Sequence, residues 1–179
     1  DGRVKLTDTI TFSNYAAGMS ATNLNVDGGD RISVETAILA LVVRSANDVA
    51  TAIGEHIGGT ESGFARLMTN KAQMLGMTHT TFRNANGLPD PKQRTTARDM
   101  AKLANALLRD FPHYYPVFSV QSYPYRGRSL ENHNRMLASY AGADGLKTGY
   151  TNASGFNLVM SAIRDNRRLI GVVMGGNSA

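Results

Sequence analysis

The chain has 179 residues, a length that suits a single domain, and it carries a net charge of +5. It contains no cysteine, which excludes disulfides and thiolate metal sites. Its basic residues are scattered and form no stripe interleaved with aromatic residues, which argues against nucleic-acid binding. No apolar segment approaches the length that spans a bilayer.

The first half of the chain predicts one short strand, within 5–13, and then several helices. Ser33 is a candidate N-cap, and apolar residues at helical spacing follow it. The tetrapeptide SAND (45–48) interrupts this helix, because Ser, Asn and Asp side chains compete for backbone hydrogen bonds. Three further helices are predicted: about 48–57, about 61–75, and one that Thr96 begins with Asp99 in an approximate capping box.

The second half of the chain predicts a sheet. Two extended segments turn at Arg126-Gly127, and three strands follow from Asp144, the last two of them joined by a turn at Asp165-Asn166. A helical block followed by an antiparallel sheet is typical of the α+β class. We therefore assign residues 1–179 to a single α+β domain, and the abrupt ends of the chain predict that this domain is incomplete.

The segment GLKTGYT (145–151) places a lysine within a strand pattern. A phosphate-binding loop requires glycine directly before the lysine, where this chain has Leu146. The four histidines lack the spacing of a zinc peptidase, and no G-x-S-x-G element is present. The remaining interpretation is the K-T-G element of active-site-serine penicillin-recognising enzymes. Ser45-Ala46-Asn47 supplies their S-x-N element about a hundred residues earlier.

Most of the chain resembles one family of this group, the serine-type D-alanyl-D-alanine carboxypeptidases (peptidase S11, low-molecular-weight penicillin-binding proteins). The resemblance lies in the segments 34–59, 64–88, 95–108, 145–162 and 169–176. It implies a β-lactamase/transpeptidase-like fold and an extracytoplasmic location, with no cofactor or metal. It also implies removal of the terminal D-alanine from peptidoglycan stem peptides through an acyl-enzyme, with β-lactams as acylating inhibitors.

The resemblance also assigns roles to the two motifs. In S-x-N, the serine relays a proton to the leaving amine and the asparagine binds the backbone amide of the substrate. In K-T-G, the lysine supplies a fixed positive charge, the threonine binds the terminal carboxylate, and the glycine lets the substrate lie against the strand. The next backbone N–H is an oxyanion donor. These residues are Ser45, Asn47, Lys147, Thr148, Gly149 and Tyr150. The alternative is that Ser45 and Asn47 only cap the next helix and that Lys147 is a solvated lysine.

One element of the family is absent, because no serine of this chain has a lysine three residues later. We therefore expect the S-x-x-K nucleophile to lie upstream and the chain to be inactive as it stands. Two alternatives are a non-catalytic wall-binding homologue and a serine β-lactamase. The β-lactamase is disfavoured because none of the four glutamates lies in the TFRNANGL loop, where its base is expected. Family members often carry a C-terminal membrane anchor, which would lie beyond Ala179.

Overall fold

The computed structural model describes residues 4–178 and has the α+β architecture that the sequence predicts. Seven strands and six α-helices are described, with one π-helical and one 3₁₀ turn among them. The helices are α1 (Asn14–Ala17), α2 (Val34–Leu39), α3 (Asn47–Gly58), α4 (Glu61–Met74), α5 (Ala97–Asp110) and α6 (Met136–Ser139). None of the described helices is long and apolar enough to cross a membrane.

Three antiparallel sheets organise the strands, in the orders β1-β2, β3-β4 and β5-β6-β7. The strands are β1 (Thr9–Thr11), β2 (Arg31–Ser33), β3 (Ser122–Tyr125), β4 (Arg128–Glu131), β5 (Ala143–Thr151), β6 (Gly155–Arg164) and β7 (Arg167–Gly176). The predicted three-stranded C-terminal sheet is confirmed. The small β1-β2 sheet was not predicted, because Arg31–Ser33 was assigned to the start of the first long helix.

The predicted N-cap of α2 is present. The Ser33 hydroxyl accepts a hydrogen bond from the Thr36 amide at 3.1 Å. The predicted interruption of this helix is present as well. The helix widens into a π-helical turn over Ala40–Arg44 and ends at Ser45, which adopts the left-handed conformation with φ of +59°.

The capping box predicted for α5 forms only in part. Thr96 caps the helix by accepting a hydrogen bond from the Asp99 amide at 3.1 Å. The Asp99 carboxylate does not return to Thr96, and instead accepts hydrogen bonds from the His79 amide at 2.9 Å and the Thr80 hydroxyl at 2.8 Å. This buried carboxylate therefore ties α5 to the turn that follows α4, a partner that lies too far along the chain for sequence pattern to reveal.

Two apolar cores support the two halves of the fold. The larger contains Phe12 and Val49 and lies among α1, α2 and α3. The smaller lies behind β5, where Leu146 packs with Tyr115 of the 3₁₀ turn (Tyr115–Ser119) and Ala104 of α5. A Cβ atom on Gly145 would lie 2.9 Å from the Tyr115 hydroxyl oxygen. The second core thus sets the position of β5, and it requires glycine at position 145, two residues before Lys147.

Candidate active site

The S-x-N motif lies at the break between the π-helical turn and α3. The left-handed conformation of Ser45 is uncommon for a residue other than glycine and is retained only where the surrounding structure requires it. Its hydroxyl makes no hydrogen bond within residues 4–178, and α3 has Ala46 as its N-cap without a side-chain cap. The alternative that Ser45 only caps α3 is therefore wrong in this structure. The hydroxyl is available for other chemistry.

Asn47 is buried as the first residue of α3, with 8% of its surface exposed. Its side-chain amide donates a hydrogen bond to the Ser20 carbonyl at 2.9 Å, and its backbone N–H donates to the Thr22 carbonyl at 2.8 Å. The Asn47 Oδ1 atom accepts no hydrogen bond from the described part of the chain. The 20–22 segment thus holds Asn47 in place, and its Oδ1 atom remains available to accept a hydrogen bond from a ligand.

The neighbouring Asp48 completes this attachment. Its fully buried carboxylate accepts hydrogen bonds from the Leu24 amide at 2.9 Å and the Val49 amide at 2.8 Å. Burial raises the pKa of the Asp48 carboxyl, while the backbone N–H groups act in the opposite direction. The residue therefore serves to fix the 20–24 segment against the start of α3, which the sequence did not indicate.

Lys147 lies partly buried on β5 and has no carboxylate within 4.0 Å among residues 4–178. Its ammonium group donates a hydrogen bond to the Thr148 carbonyl at 2.8 Å. Burial lowers the pKa of Lys147 from its ordinary value of 10.5 to about 8. A desolvated cation without a counter-ion attracts an anion, so the alternative of a solvated lysine does not describe this position.

The residues after Lys147 keep one side of β5 accessible. Within the described chain β5 pairs only with β6, so its other edge is open to an extended ligand. Apart from the neighbours of Gly149 in the chain, none of residues 4–178 has an atom within 4 Å of the position that a Cβ atom on Gly149 would occupy. Thr148 is partly buried, and Tyr150 is 57% exposed, with its ring tilted by 41° against that of Phe156 at a centroid distance of 4.6 Å. An extended peptide can therefore approach this edge without meeting a side chain at Gly149.

His133 lies within range of the charges near both motifs, and the sequence did not single it out. The pKa of its imidazole is lowered, first because surrounding protein reduces its hydration and then by the positive charges of Lys147 and Arg44. Arg44 directly precedes Ser45, so His133 lies within electrostatic reach of both motif segments. Asn132 and Asn134 hold the turn around it, because the Asn132 side chain accepts a hydrogen bond from the Asn134 amide at 2.8 Å.

The charge of Lys147 gives a prediction about stability. The change of its pKa from 10.5 to about 8 disfavours the charged form by roughly 3 kcal/mol, which partial exposure reduces to about 1–2 kcal/mol. Between pH 8 and 10.5 the unfolded chain binds more protons than the folded chain, so stability rises with pH across this window. We therefore expect Lys147→Met to raise the free energy of unfolding by about 1–2 kcal/mol at pH 7. That gain should disappear above pH 10.5.

Denaturant unfolding of the full-length protein at pH 7 and pH 10.5 measures this difference. Methionine does not titrate, so the pH dependence separates the charge from the effect of the longer apolar side chain. An advantage of the variant that is equal at both pH values would contradict a buried, uncompensated charge at Lys147.

Comparison with known proteins agrees with the geometry. A sequence profile of the family described as D-alanyl-D-alanine carboxypeptidase (peptidase S11) matches residues 1–178. The chain belongs to the peptidase S11 family. D-alanyl-D-alanine carboxypeptidase DacC of Escherichia coli is 36% identical over 183 residues, which cover 98% of this chain and 46% of that protein. The chain thus spans about half the length of this peptidase S11 relative.

Solved structures confirm the predicted fold. The D-alanyl-D-alanine carboxypeptidase DacD from Francisella tularensis superposes with a TM-score of 0.93 at 30% identity, covering 99% of this chain and 55% of the other. Penicillin-binding protein 6B from Escherichia coli gives 0.91 at 35% identity, covering 99% and 58%. The helical block and the C-terminal sheet are therefore the arrangement of peptidase S11 proteins, and the predicted β-lactamase/transpeptidase-like fold is correct.

Proposed function

We propose that this chain is part of a serine-type D-alanyl-D-alanine carboxypeptidase that acts on peptidoglycan stem peptides. The observation that carries the proposal is Lys147 on the open edge of β5, where its side chain is partly buried and has no carboxylate within 4.0 Å among residues 4–178. The space beside Gly149 supports it, because an extended peptide that ends in a carboxylate could lie along this edge. Family membership gives the reaction class.

The proposed reaction is acyl transfer in two steps. A serine oxygen attacks the carbonyl carbon of the penultimate D-alanine, the carbon–nitrogen bond breaks, and the terminal D-alanine leaves as its amine takes a proton. Water then hydrolyses the ester, which releases the shortened peptide and restores the serine. The nucleophile would come from an S-x-x-K element outside residues 1–179. Ser45 is the group we assign to deliver the proton to the leaving amine, because its hydroxyl is otherwise unengaged in the described chain.

The other residues would bind and orient the substrate. Lys147 and the Thr148 hydroxyl would hold the terminal carboxylate, a charge-assisted interaction that strengthens in a site of reduced hydration. The unused Oδ1 atom of Asn47 would accept a hydrogen bond from a substrate N–H group. The Tyr150 backbone N–H would be one donor to the oxyanion, and losing one such donor typically costs about 10²–10³ in rate.

The same proposal covers location and partners. Stem peptides lie outside the cytoplasmic membrane, so we place the protein extracytoplasmically, in the periplasm or at the outer face of the membrane. β-Lactams would acylate the same serine and act as inhibitors. A C-terminal anchor would give membrane association, and residues 1–179 would form part of one penicillin-binding domain.

The test uses the full-length protein. We expect covalent labelling by a fluorescent penicillin and release of D-alanine from a peptide that ends in D-Ala-D-Ala. The 179-residue chain should remain unlabelled at the same concentration, because no serine in it has a lysine three residues later.

Two outcomes would overturn the proposal. A full-length protein that neither binds the penicillin nor releases D-alanine would support a non-catalytic wall-binding protein. Rapid turnover of nitrocefin, with little accumulated acyl-enzyme, would instead identify a β-lactamase.

A further inference from the structure

Glu61, the first residue of α4, collects hydrogen bonds from separate parts of the chain. Its Oε2 atom accepts from the Tyr15 hydroxyl at 2.8 Å. Its Oε1 atom accepts from the Ala85 amide at 3.2 Å, the Asn86 side-chain amide at 3.4 Å and the Thr51 hydroxyl at 3.4 Å. A glutamate that only complements the helix dipole does not require these partners. The carboxylate instead joins α1, α3 and the 84–88 segment at one point.

The 84–88 segment is a compact loop, and its own hydrogen bonds keep its shape. The Asn84 side chain donates to the Leu88 carbonyl at 2.8 Å and accepts from the Gly87 amide at 2.8 Å. The Asn86 side-chain oxygen accepts from the Leu88 amide at 3.0 Å. A loop that is closed on itself in this way moves as a unit. Gln93 ties it to the segment that follows, through hydrogen bonds with Asn84 and Leu88, and the bonds to Glu61 and Thr51 tie it to the helices.

Asn86 is the member of this loop that reaches toward the candidate site. Its side-chain amide donates to the Thr51 hydroxyl at 3.0 Å and contacts the Met19 sulfur at 3.5 Å. Thr51 lies one helical turn after Asn47 on α3, and Met19 precedes Ser20, whose carbonyl holds the Asn47 side chain. A continuous set of contacts therefore runs from Glu61 through Asn86 to the support of Asn47.

We propose that Glu61 is a positioning residue for the active site. It holds the 84–88 loop (Asn84–Leu88) against α3, so that Asn86 fixes the segment that orients Asn47 at the wall of the cleft. This inference deepens the proposed function and rests on it for its effect on rate. Couplings through packed networks of this kind change rates by about 3- to 30-fold. The loss expected on removing Glu61 is therefore far smaller than that of a residue that touches the substrate.

Hydrogen exchange tests the structural part without requiring activity. In the full-length protein, Glu61→Ala should raise the exchange of the peptide that spans residues 82–90 by about tenfold or more. Glu61→Gln should raise it much less, because the glutamine oxygen can still accept from the Ala85 amide. Glu55→Gln is the matched control. That carboxylate accepts from Ser13 at 2.7 Å and makes no bond to the loop, so loop exchange should not change. Wild-type exchange in Glu61→Ala would overturn the inference.

A double-mutant cycle tests the part that concerns rate. Acylation by fluorescent penicillin should slow by about 3- to 30-fold in Glu61→Ala and in Asn86→Ala. The double variant should be no slower than the more damaging single variant, because Glu61 acts through Asn86. Glu61→Gln should recover most of the rate, and it remains informative if Glu61→Ala does not fold. Additive losses, or losses that match a fall in melting temperature alone, would overturn the positioning role.

The two proposals fail separately. If the wild-type protein is not labelled at all, the carboxypeptidase proposal fails, and the hydrogen-exchange result alone decides whether Glu61 holds the loop. If the wild type is labelled and the loop keeps its protection in Glu61→Ala, the carboxypeptidase proposal stands and the role of Glu61 is rejected.

Discussion

Replacing Lys147 by methionine is expected to lower acylation of the full-length protein by penicillin about 10²–10³-fold. The ammonium group is partly buried and has no carboxylate partner in the described chain, so a substrate or β-lactam carboxylate would complete its interactions. Removing one preorganised group that stabilises negative charge in a site typically costs about 10²–10³ in rate. The measurement is the second-order rate of labelling, taken from the growth of the acyl-enzyme band with time.

The matched control is Lys71→Met, which removes an exposed lysine of α4 that is not part of the candidate site. Its labelling rate should stay within about twofold of the wild type, because an isolated substitution on the surface usually changes the stability of a protein by no more than about 0.5 kcal/mol. The activity loss of Lys147→Met should accompany the gain in stability at pH 7 described above. A variant that is both more stable and fully active would show that the charge serves neither binding nor catalysis.

Replacing Gly149 by valine is expected to lower the rate of penicillin labelling by about 10²-fold or more while leaving the fold intact. Apart from the residues next to Gly149, no atom of the described chain lies within 4 Å of the Cβ position. Valine is favoured in strands, so we expect the stability of the fold to be unchanged. The same space is where a peptide backbone would approach β5, and a displacement of about 1 Å from the reacting groups can cost 10²-fold. The labelling rate measures the expected loss of activity, and the melting temperature measures whether the fold is unchanged.

Gly149→Ala provides the graded comparison. It places one carbon in the same space, so we expect a smaller loss than with valine and an unchanged melting temperature. Equal rates for the wild type and both variants would mean that no ligand approaches the strand at this position. A melting temperature that falls as the side chain at position 149 grows would instead show that the added atoms clash within the protein, which would contradict the open space beside Gly149.

The features of the fold that depend on interactions between residues close in sequence, such as helix caps and turns, were predictable. Ser33 and Thr96 cap helices as their side chains suggest, and the turn at Asp165-Asn166 separates two strands. These features depend on residues three or four positions apart. The pairing of β6 with β7 also agrees with the predicted turn between them, because consecutive strands joined by a short turn pair as neighbours.

The site was predictable only as a set of motifs. The resemblance brought S-x-N and K-T-G together, but it gave no indication of the buried Asn47 side chain or of the left-handed backbone at Ser45. Asp99 appeared to be a capping residue, and its actual partners lie about twenty residues earlier. His133 was overlooked because its neighbours in space are distant in sequence. Such contacts depend on how elements pack, which periodicity and spacing do not encode.

If the proposed function holds, the close fit at Gly145 would link β-lactam sensitivity to residues that the ligand does not contact. Tyr115 and Phe118 press against β5 from behind, with 2.9 and 3.1 Å from the absent Cβ position to their nearest atoms, and Lys147 follows two residues later on the same strand. Any change of volume at Tyr115 or Phe118 must therefore shift the strand or leave a void. Laboratory selection for lower β-lactam sensitivity should consequently recover substitutions in this rear wall as well as in the motifs themselves.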